Sequence, residues 1–148
     1  MSITELIIDF KKVCRGIEKK QQNLRLNCHV FCRALKPFIQ DIKIVDGYFI
    51  GINIDQNTKS KTTLRRCYHS WFQTNDGAII DIYPVGFITM TPILVASTGS
   101  MSVFGRSMYL DEPEVTKDIV NRDLYRNVRV IQKHLKGAVR ITKARFKK

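Results

Sequence analysis

Glycine, proline and cysteine are scarce in this chain of 148 residues, which contains eight glycines, four prolines and four cysteines. The small number of glycines and prolines excludes a collagen-like or low-complexity protein. The cysteines, Cys14, Cys28, Cys32 and Cys67, are too few and too scattered to build a disulfide scaffold in a chain of this length. We therefore expect all four to be reduced.

Long apolar runs are also missing from the sequence. No run approaches the ~18 residues that a transmembrane helix requires, so we expect no transmembrane segment. The polar residues 1–5 lack the basic start and apolar core of a secretory signal. We therefore expect a cytoplasmic protein, or one exported without a signal peptide. Its length suits a single domain spanning residues 1–148.

Acidic residues are rare near the C-terminus. The net charge is +12, and residues 122–148 contain ten Lys or Arg but a single acid, Asp123. A basic surface attracts nucleic acid, acidic lipid or an acidic protein, although the same charges also keep a protein in solution. The basic tail, residues 138–148, has one aromatic residue, Phe146, and so lacks a stacking series. An anionic partner bound through this basic region is therefore one open alternative.

Helical periodicity is clearest towards the two ends of the chain. Apolar residues recur at helical spacing over residues 3–20, which predicts a first helix there. A second helix is predicted from Cys28 to about residue 39, with Asn27 as its N-cap. A final helix is predicted to open at residues 111–113, with Gly137 at its C-terminal end.

The middle of the chain has the pattern of antiparallel strands. Residues 42–54 predict a hairpin that turns at Asp46-Gly47, and residues 55–66 predict an exposed loop. A second hairpin is predicted over residues 68–83. The fold class is therefore α+β, with N-terminal helices packed on an antiparallel sheet and a C-terminal helix.

Three residues on these elements have the chemistry of an activated thiol. They are Cys28 at a helix start, and His69 and Asp81 on neighbouring strands. A thiol in the first turn of a helix faces unpaired N–H groups and the positive end of the dipole, which lowers its pKa. A histidine can take the thiol proton, and a carboxylate beyond that histidine fixes its tautomer and orientation.

The second hairpin decides whether His69 and Asp81 can meet. If residues 75–77 form a three-residue loop, Thr74 pairs with Ala78 and the two side chains become diagonal neighbours, roughly 7–8 Å apart at the backbone. A two-residue turn would place them on opposite faces of the sheet. A triad of Cys28, His69 and Asp81 therefore requires the three-residue loop.

A helix-borne cysteine, a His-x-Trp strand and an Asp beyond a glycine turn resemble the transglutaminase-like superfamily. This branch of the papain-like fold includes transglutaminases, arylamine N-acetyltransferases and small bacterial thiol peptidases. The resemblance covers roughly residues 22–85, and its motifs are Cys28, His69-Ser70-Trp71-Phe72 and Asp81-Ile82-Tyr83-Pro84. It implies acyl transfer by a hydrolase, deamidase or transferase. Cys28 would be the nucleophile, His69 the general base and acid, and Asp81 the orienting carboxylate.

The same resemblance suggests where a substrate would lie. Trp71 and Tyr83 are candidate substrate contacts, although a tryptophan on a strand is also a common core residue. Gln22 stands six residues before Cys28, a spacing known from papain-like peptidases. His29 follows Cys28 where the family often has tryptophan. The expected substrate is a protein, a peptide or a small acyl compound, and we expect neither a metal nor a cofactor.

Other functions use the same residues differently. Cys32, one helical turn after Cys28, is a rival nucleophile. Cys28, Cys32, Cys67 and His69 also supply ligand types for zinc, although zinc sites usually contain a tighter Cys-x2-Cys pair. The main alternative is a non-catalytic basic module of the same fold that binds nucleic acid or an acidic protein.

Overall fold

The structure is a computed structural model that describes residues 3–20, 24, 26–54, 62–83, 93–95, 101–104, 107–138 and 144–145. These residues form an α+β fold, as the sequence predicts. The helices and strands in chain order are α1 (Ile3–Lys20), α2 (Cys28–Leu35), β1 (Ile39–Gln40), β2 (Ile42–Ile54), β3 (Thr62–Thr74), β4 (Ile79–Asp81), β5 (Ile93–Val95), β6 (Met101–Phe104), β7 (Ser107–Asp111), α3 (Thr116–Ile119), α4 (Arg122–Ala138) and β8 (Ala144–Arg145).

The first two helices begin where their capping and periodicity predict. α1 buries one apolar stripe along its length, including Leu6, Ile7 and Phe10. α2 begins at Cys28, where the Asn27 side chain accepts a hydrogen bond from the backbone of Val30 at 3.0 Å. A 3₁₀ turn containing Pro37 follows α2 directly, because proline suits the first turn of a new helical segment but not the interior of a helix.

Six strands form one antiparallel sheet in the order β5-β4-β3-β2-β7-β6. The long pair β2–β3 occupies its centre and is continuous from Ile42↔Thr74 to Ile54↔Thr62. Residues 62–66, which the sequence assigned to a loop, are therefore part of β3, whereas residues 55–61 lie outside the described range.

The turn between β3 and β4 has the predicted three-residue geometry. Phe72 pairs with Ile80, and the backbone N–H of Thr74 donates to the carbonyl of Ala78 at 2.9 Å. Gly77 takes a φ of 90°, in the left-handed region that glycine tolerates best. The register on which the His69–Asp81 pairing depends is confirmed.

The predicted turn at Asp46-Gly47 is wrong, because both residues lie inside the continuous strand β2. Asp46 is buried and bonded to three neighbouring side chains, so it does not need the solvent that a turn offers. Gly47 is required for close packing, since a Cβ built on it would lie 2.0 Å from the carbonyl oxygen of Leu110 and 2.9 Å from the Trp71 ring. Asp46 and Gly47 therefore lie within the sheet and do not form a turn.

The C-terminal helical region is divided, contrary to the single final helix that the sequence predicts. α3 ends at Ile119, and Asn121 then accepts a hydrogen bond from the backbone N–H of Leu124 at 2.8 Å. Asn121 thus caps a new helix, α4, which continues through Gly137 to Ala138. The strand β7 just before this region was not predicted.

The two faces of the sheet carry different cores, because successive strand residues point to opposite sides. The helices cover one face. The opposite face carries a smaller cluster that is fully buried, made of Val45, Phe49, Trp71, Ile79 and Tyr109.

Two further expectations concern transmembrane helices and the basic tail. Within the described helices, none has the length and apolarity to cross a membrane. Most of the predicted basic tail lies outside the described residues, apart from β8, which pairs in parallel with β1.

Candidate active site

Cys28 lies at the first position of α2, directly after the Asn27 cap. Asn27 accepts the N–H of Val30 through its side chain and that of Phe31 through its carbonyl. The N–H groups of Cys28 and His29 are therefore the first-turn donors that this cap does not use. The Cys28 side chain is 7% exposed, which leaves it at the margin of the core.

His69 and Asp81 meet as the hairpin register predicts. His69 Nε2 lies 2.8 Å from Asp81 Oδ2, and both side chains are 0% exposed. The His69 ring is packed between aromatic side chains, with ring centroids 5.6 Å from Phe49, 5.9 Å from Trp71 and 6.1 Å from Tyr109. These neighbours leave the ring little freedom to rotate.

Asp81 has two further donors. The Tyr109 hydroxyl donates to Oδ2 at 2.7 Å, and the backbone N–H of Tyr83 donates to Oδ1 at 3.1 Å. Burial and the Asp81 charge both raise the pKa of Tyr109, so its phenol keeps its proton and remains a donor. A buried carboxylate requires such partners. Sequence reasoning missed Tyr109, because nothing in the local pattern separates it from the other tyrosines.

The thiol and the imidazole perturb each other. Burial raises the pKa of Cys28, but hydrogen bonds and positive charge from His29 and His69 outweigh burial and lower it to about 6. Burial lowers the pKa of His69, but Asp81 and Cys28 outweigh it and raise it to about 10. Between these two values the favoured state is a Cys28 thiolate beside a His69 imidazolium.

His69 Nδ1 is the ring nitrogen that remains for Cys28, since Asp81 occupies Nε2. Nδ1 is buried and has no hydrogen-bond partner among the described residues. No standard hydrogen bond therefore joins Nδ1 to the Cys28 sulfur in this structure. Catalytic hydrogen bonds are often long or poorly aligned before a substrate is bound.

A second histidine also contacts Cys28. His29 is half-buried, and its Nδ1 lies 2.7 Å from Ser70 Oγ. Ser70 in turn donates to Asp46 Oδ1 at 2.5 Å. His69 and Ser70 are consecutive residues of β3. Each belongs to a separate chain of hydrogen-bonded polar side chains, and both chains lead to Cys28.

Asp46 anchors the second chain. Arg33 donates to its Oδ2 at 2.6 Å and Thr116 to the same oxygen at 2.9 Å. Burial raises the pKa of Asp46, but hydrogen bonds from Arg33, Ser70 and Thr116 and the Arg33 charge outweigh burial and lower it. Asp46 is therefore ionised at neutral pH. Sequence reasoning assigned Asp46 to a turn and so missed this chain.

The three predicted substrate contacts have different positions. Trp71 is 1% exposed and its Nε1 is buried without a partner among the described atoms, so it packs in the sheet core and offers no surface in this structure. Tyr83 is 40% exposed and stacks on Phe31 of α2 with ring centroids 5.0 Å apart. Gln22 lies outside the described residues.

A lysine that the sequence did not single out lies beside Tyr83. Lys11 on α1 is 7% exposed, and its Nζ lies 5.8 Å from the centroid of the Tyr83 ring. Burial lowers the pKa of Lys11, and the Asp81 charge partly opposes this. Lys11 and Tyr83 therefore place a buried amine beside an exposed aromatic ring.

The remaining cysteines differ from Cys28. Cys14 and Cys32 are fully buried, and burial raises the pKa of Cys32 well above its usual value, which disfavours it as a rival nucleophile. Cys67 is exposed, and partial burial with the nearby Cys28 raises its pKa too. Across the described part of the chain, no three His, Cys, Asp or Glu side chains gather in a metal-binding group. The zinc alternative therefore gains no support.

Comparison with known proteins leaves the site to be interpreted from its geometry. No family model matches the chain, and neither a curated protein nor a solved structure matches it.

Proposed function

We propose that this protein is a cysteine-dependent acyl-transfer enzyme of the transglutaminase-like type, in which Cys28, His69 and Asp81 form the catalytic triad. The observation that supports this most directly is the buried His69–Asp81 pair, 2.8 Å apart, beside a thiol whose pKa is lowered to about 6. Cys32, one turn along the same helix, has a raised pKa. Reactivity is therefore concentrated at Cys28.

Acylation uses the thiolate directly. Cys28 Sγ attacks the carbonyl carbon of an acyl donor, a C–S bond forms, and the carbonyl electron pair moves to oxygen. When that pair returns, the bond to the leaving group breaks, and the leaving group takes a proton from the His69 imidazolium. The acyl group then passes to water, an amine or a thiol, and Cys28 becomes a thiolate again.

The start of α2 provides stabilisation for the negative oxygen. The N–H groups of Cys28 and His29 are not used by the Asn27 cap, and they carry the positive end of the helix dipole. These two backbone donors serve as the oxyanion site. A backbone oxyanion site of this kind needs no dedicated side chain.

The arrangement of elements supports a transglutaminase-like core. A cysteine at a helix start, a histidine on the central strand β3 and an aspartate on the adjacent antiparallel strand β4 occur in the expected order. A reduced Cys28 is consistent with the cytoplasmic location that the sequence predicts. The proposed acyl donor is a protein, a peptide or a small acyl compound, and the thiolate can attack it without a metal.

The test uses p-nitrophenyl acetate, an activated acyl donor that requires little specific recognition. The expected result is a rapid release of about one equivalent of nitrophenol per protein, with an acetyl group found on Cys28 by peptide mass spectrometry. Cys28→Ala is expected to abolish both, whereas the matched variant at the exposed thiol, Cys67→Ala, keeps both. An undiminished burst from Cys28→Ala would contradict the proposal.

A second candidate function is anion binding by α4. Arg122, Arg126 and Arg129 line an open cleft together with Tyr125, whose ring is 50% exposed. Their spacing places the three arginines on one side of the helix. Asp123 is the only acid among the described residues that line this cleft, and it lies 3.7 Å from Arg126. Guanidinium groups beside an exposed aromatic ring suit a phosphate backbone with a stacked base.

A labelled single-stranded oligonucleotide tests this second candidate. We expect an affinity that falls steeply as salt rises, and that is lost when Arg122 and Arg129 are both replaced by Gln. Lys117→Gln, at an exposed lysine on α3, is the matched charge control and is expected to bind as the wild type does. Absence of binding at low salt would contradict this function and leave the thiol chemistry untouched.

A further inference from the structure

The two histidines that contact Cys28 have different surroundings. His69 is 0% exposed and is held by Asp81, whereas His29 is half-buried and is held by Ser70. Both are among the causes that lower the pKa of Cys28. One imidazolium is enough to pair with a thiolate, so the second histidine is available for a different step of the reaction.

The hydrogen-bond chain behind His29 sets its tautomer. Asp46 is an ionised acceptor held by Arg33 at 2.6 Å, so the Ser70 hydroxyl proton is committed to Asp46 at 2.5 Å. Ser70 Oγ can therefore only accept from His29, and the 2.7 Å bond requires a proton on Nδ1. Once the sulfur is acylated and its negative charge is gone, the neutral ring carries its lone pair on Nε2, which is the form of a general base.

We propose that His29 is the general base of deacylation, while His69 serves to hold the thiolate; this inference rests on the proposed acyl-enzyme at Cys28. In this step His29 Nε2 takes a proton from the incoming water as its oxygen forms a bond to the acyl carbon. The C–S bond then breaks, its electron pair returns to Cys28 Sγ, and a carboxylic acid leaves. His29 passes the proton on to solvent.

Accessibility separates the roles of the two rings. The His29 ring is half-buried, whereas the His69 ring is 0% exposed and enclosed by Phe49, Trp71 and Tyr109. Of the two rings, His29 is therefore the one that an incoming water can reach. His69 gives its proton to the leaving group during acylation and takes another from solvent once the leaving group has departed, because Asp81 remains beside it and continues to favour a protonated ring. A ring that keeps its proton cannot act as a base.

The experiment separates acylation from deacylation with p-nitrophenyl acetate. Nitrophenol is a good leaving group, so the burst reports acylation and the later steady rate reports hydrolysis of the acetyl-enzyme. For His29→Gln we expect a burst slower by up to about tenfold, because His29 also helps to lower the pKa of Cys28. We expect the steady rate to fall further, by on the order of 10²-fold or more. Glutamine retains a donor for Ser70 but offers no base. His134→Gln, at an exposed histidine of α4, is the matched control and is expected to leave both phases unchanged.

The rate of deacetylation by hydroxylamine distinguishes the loss of a base from a structural defect at the site. Hydroxylamine attacks thioesters without the help of a base, so it is expected to deacetylate the His29→Gln acetyl-enzyme as fast as the wild-type acetyl-enzyme. Ser70→Ala removes the acceptor that holds the His29 proton on Nδ1. It is expected to slow hydrolysis less than His29→Gln does, because the imidazole is still present. A retained burst in each variant also demonstrates an intact fold.

The possible outcomes are distinguishable. An unchanged steady rate in His29→Gln overturns the role of His29 and leaves the proposed function standing. Loss of the burst in His29→Gln, with the His134→Gln control intact, also overturns this division of roles, because His29 would then be needed for acylation. Absence of a burst and of an acetylated Cys28 in the wild type overturns the proposed function and this inference together.

Discussion

Asp81 is the residue on which the geometry of the site depends most. It is fully buried, it faces His69 Nε2 at 2.8 Å, and it accepts hydrogen bonds from the Tyr109 hydroxyl and the Tyr83 backbone. These donors fix the orientation of the carboxylate before it meets the imidazole. A preorganised carboxylate of this kind holds the histidine in one tautomer.

Asp81→Asn tests the charge of this carboxylate. The amide keeps the shape but removes the negative charge that raises the pKa of His69, so the imidazolium is lost and the pKa of Cys28 rises towards its usual value. We expect the alkylation rate of Cys28 by iodoacetamide at pH 7 to fall by roughly tenfold or more. Peptide mass spectrometry measures this rate for each cysteine. An unchanged rate would show that Asp81 does not support the ion pair.

Tyr109→Phe tests the buried donor to Asp81. Removing the hydroxyl takes away a 2.7 Å hydrogen bond to an ionised group and creates no new polar contact. We expect the free energy of unfolding, measured in urea, to fall by about 1.5–3 kcal/mol. Tyr125→Phe, at a half-exposed ring on α4, is the control and should leave stability unchanged.

The sequence predicted part of the site for identifiable reasons. His69 and Asp81 lie on one hairpin, so a local turn rule is enough to bring them together. Tyr109 and Asp46 reach the site only through long-range strand pairing, which no local pattern encodes. The sequence therefore predicted the His69–Asp81 pair but missed the groups that support it.

At the scale of elements, β2 illustrates how a local signal can fail. Asp-Gly is a strong turn signal in isolation. Here the chain stays extended, because Asp46 finds buried partners and Gly47 allows β7 to approach closely. The start of α2, which depends on its own Asn27 cap, and the apolar stripe of α1 were predicted well, whereas tertiary contacts decided the course of β2.

Gly47→Ala tests this packing argument. The new Cβ would lie 2.0 Å from the backbone oxygen of Leu110 and 2.9 Å from the Trp71 ring, so strands β2 and β7 would have to move apart. We expect a loss of roughly 3 kcal/mol of stability in urea denaturation. The matched control is Gly51→Ala on the same strand, whose Cβ would lie 3.8 Å from the Phe49 ring, its nearest contact among the described side chains. It should be stabilising by about 0.5–1 kcal/mol.

At the scale of the whole molecule, the second polar chain joins distant parts of the sequence. Asp46 on β2 binds Arg33 of α2, Ser70 of β3 and Thr116 of α3. One buried carboxylate thus links two helices to two strands. Its pKa is lowered from 3.8, so its charge stabilises the folded state above that value and ceases to do so as the pH falls through the lower, folded value.

Asp46→Asn should be costly and pH-dependent. The substitution leaves Arg33 buried without its anion, so we expect a loss of ~3 kcal/mol or more at pH 7. The difference between variant and wild type should shrink in strongly acidic solution, where the wild-type carboxyl is protonated as well. Asp123→Asn, in an exposed pair on α4, should change nothing measurable. A difference that stays constant down to strong acid would contradict the lowered pKa.

The thiolate–imidazolium pair is tested by the pH dependence of alkylation, measured cysteine by cysteine on the folded protein and on His69→Ala. We expect Cys28 alone to become reactive with a midpoint at about pH 6, and the removal of His69 to shift this midpoint upwards. Cys67, exposed and with a raised pKa, is the internal reference and should react only in alkaline solution. A Cys28 that titrates with Cys67, in the presence or absence of His69, would contradict the thiolate–imidazolium pair and the acyl-transfer function built on it.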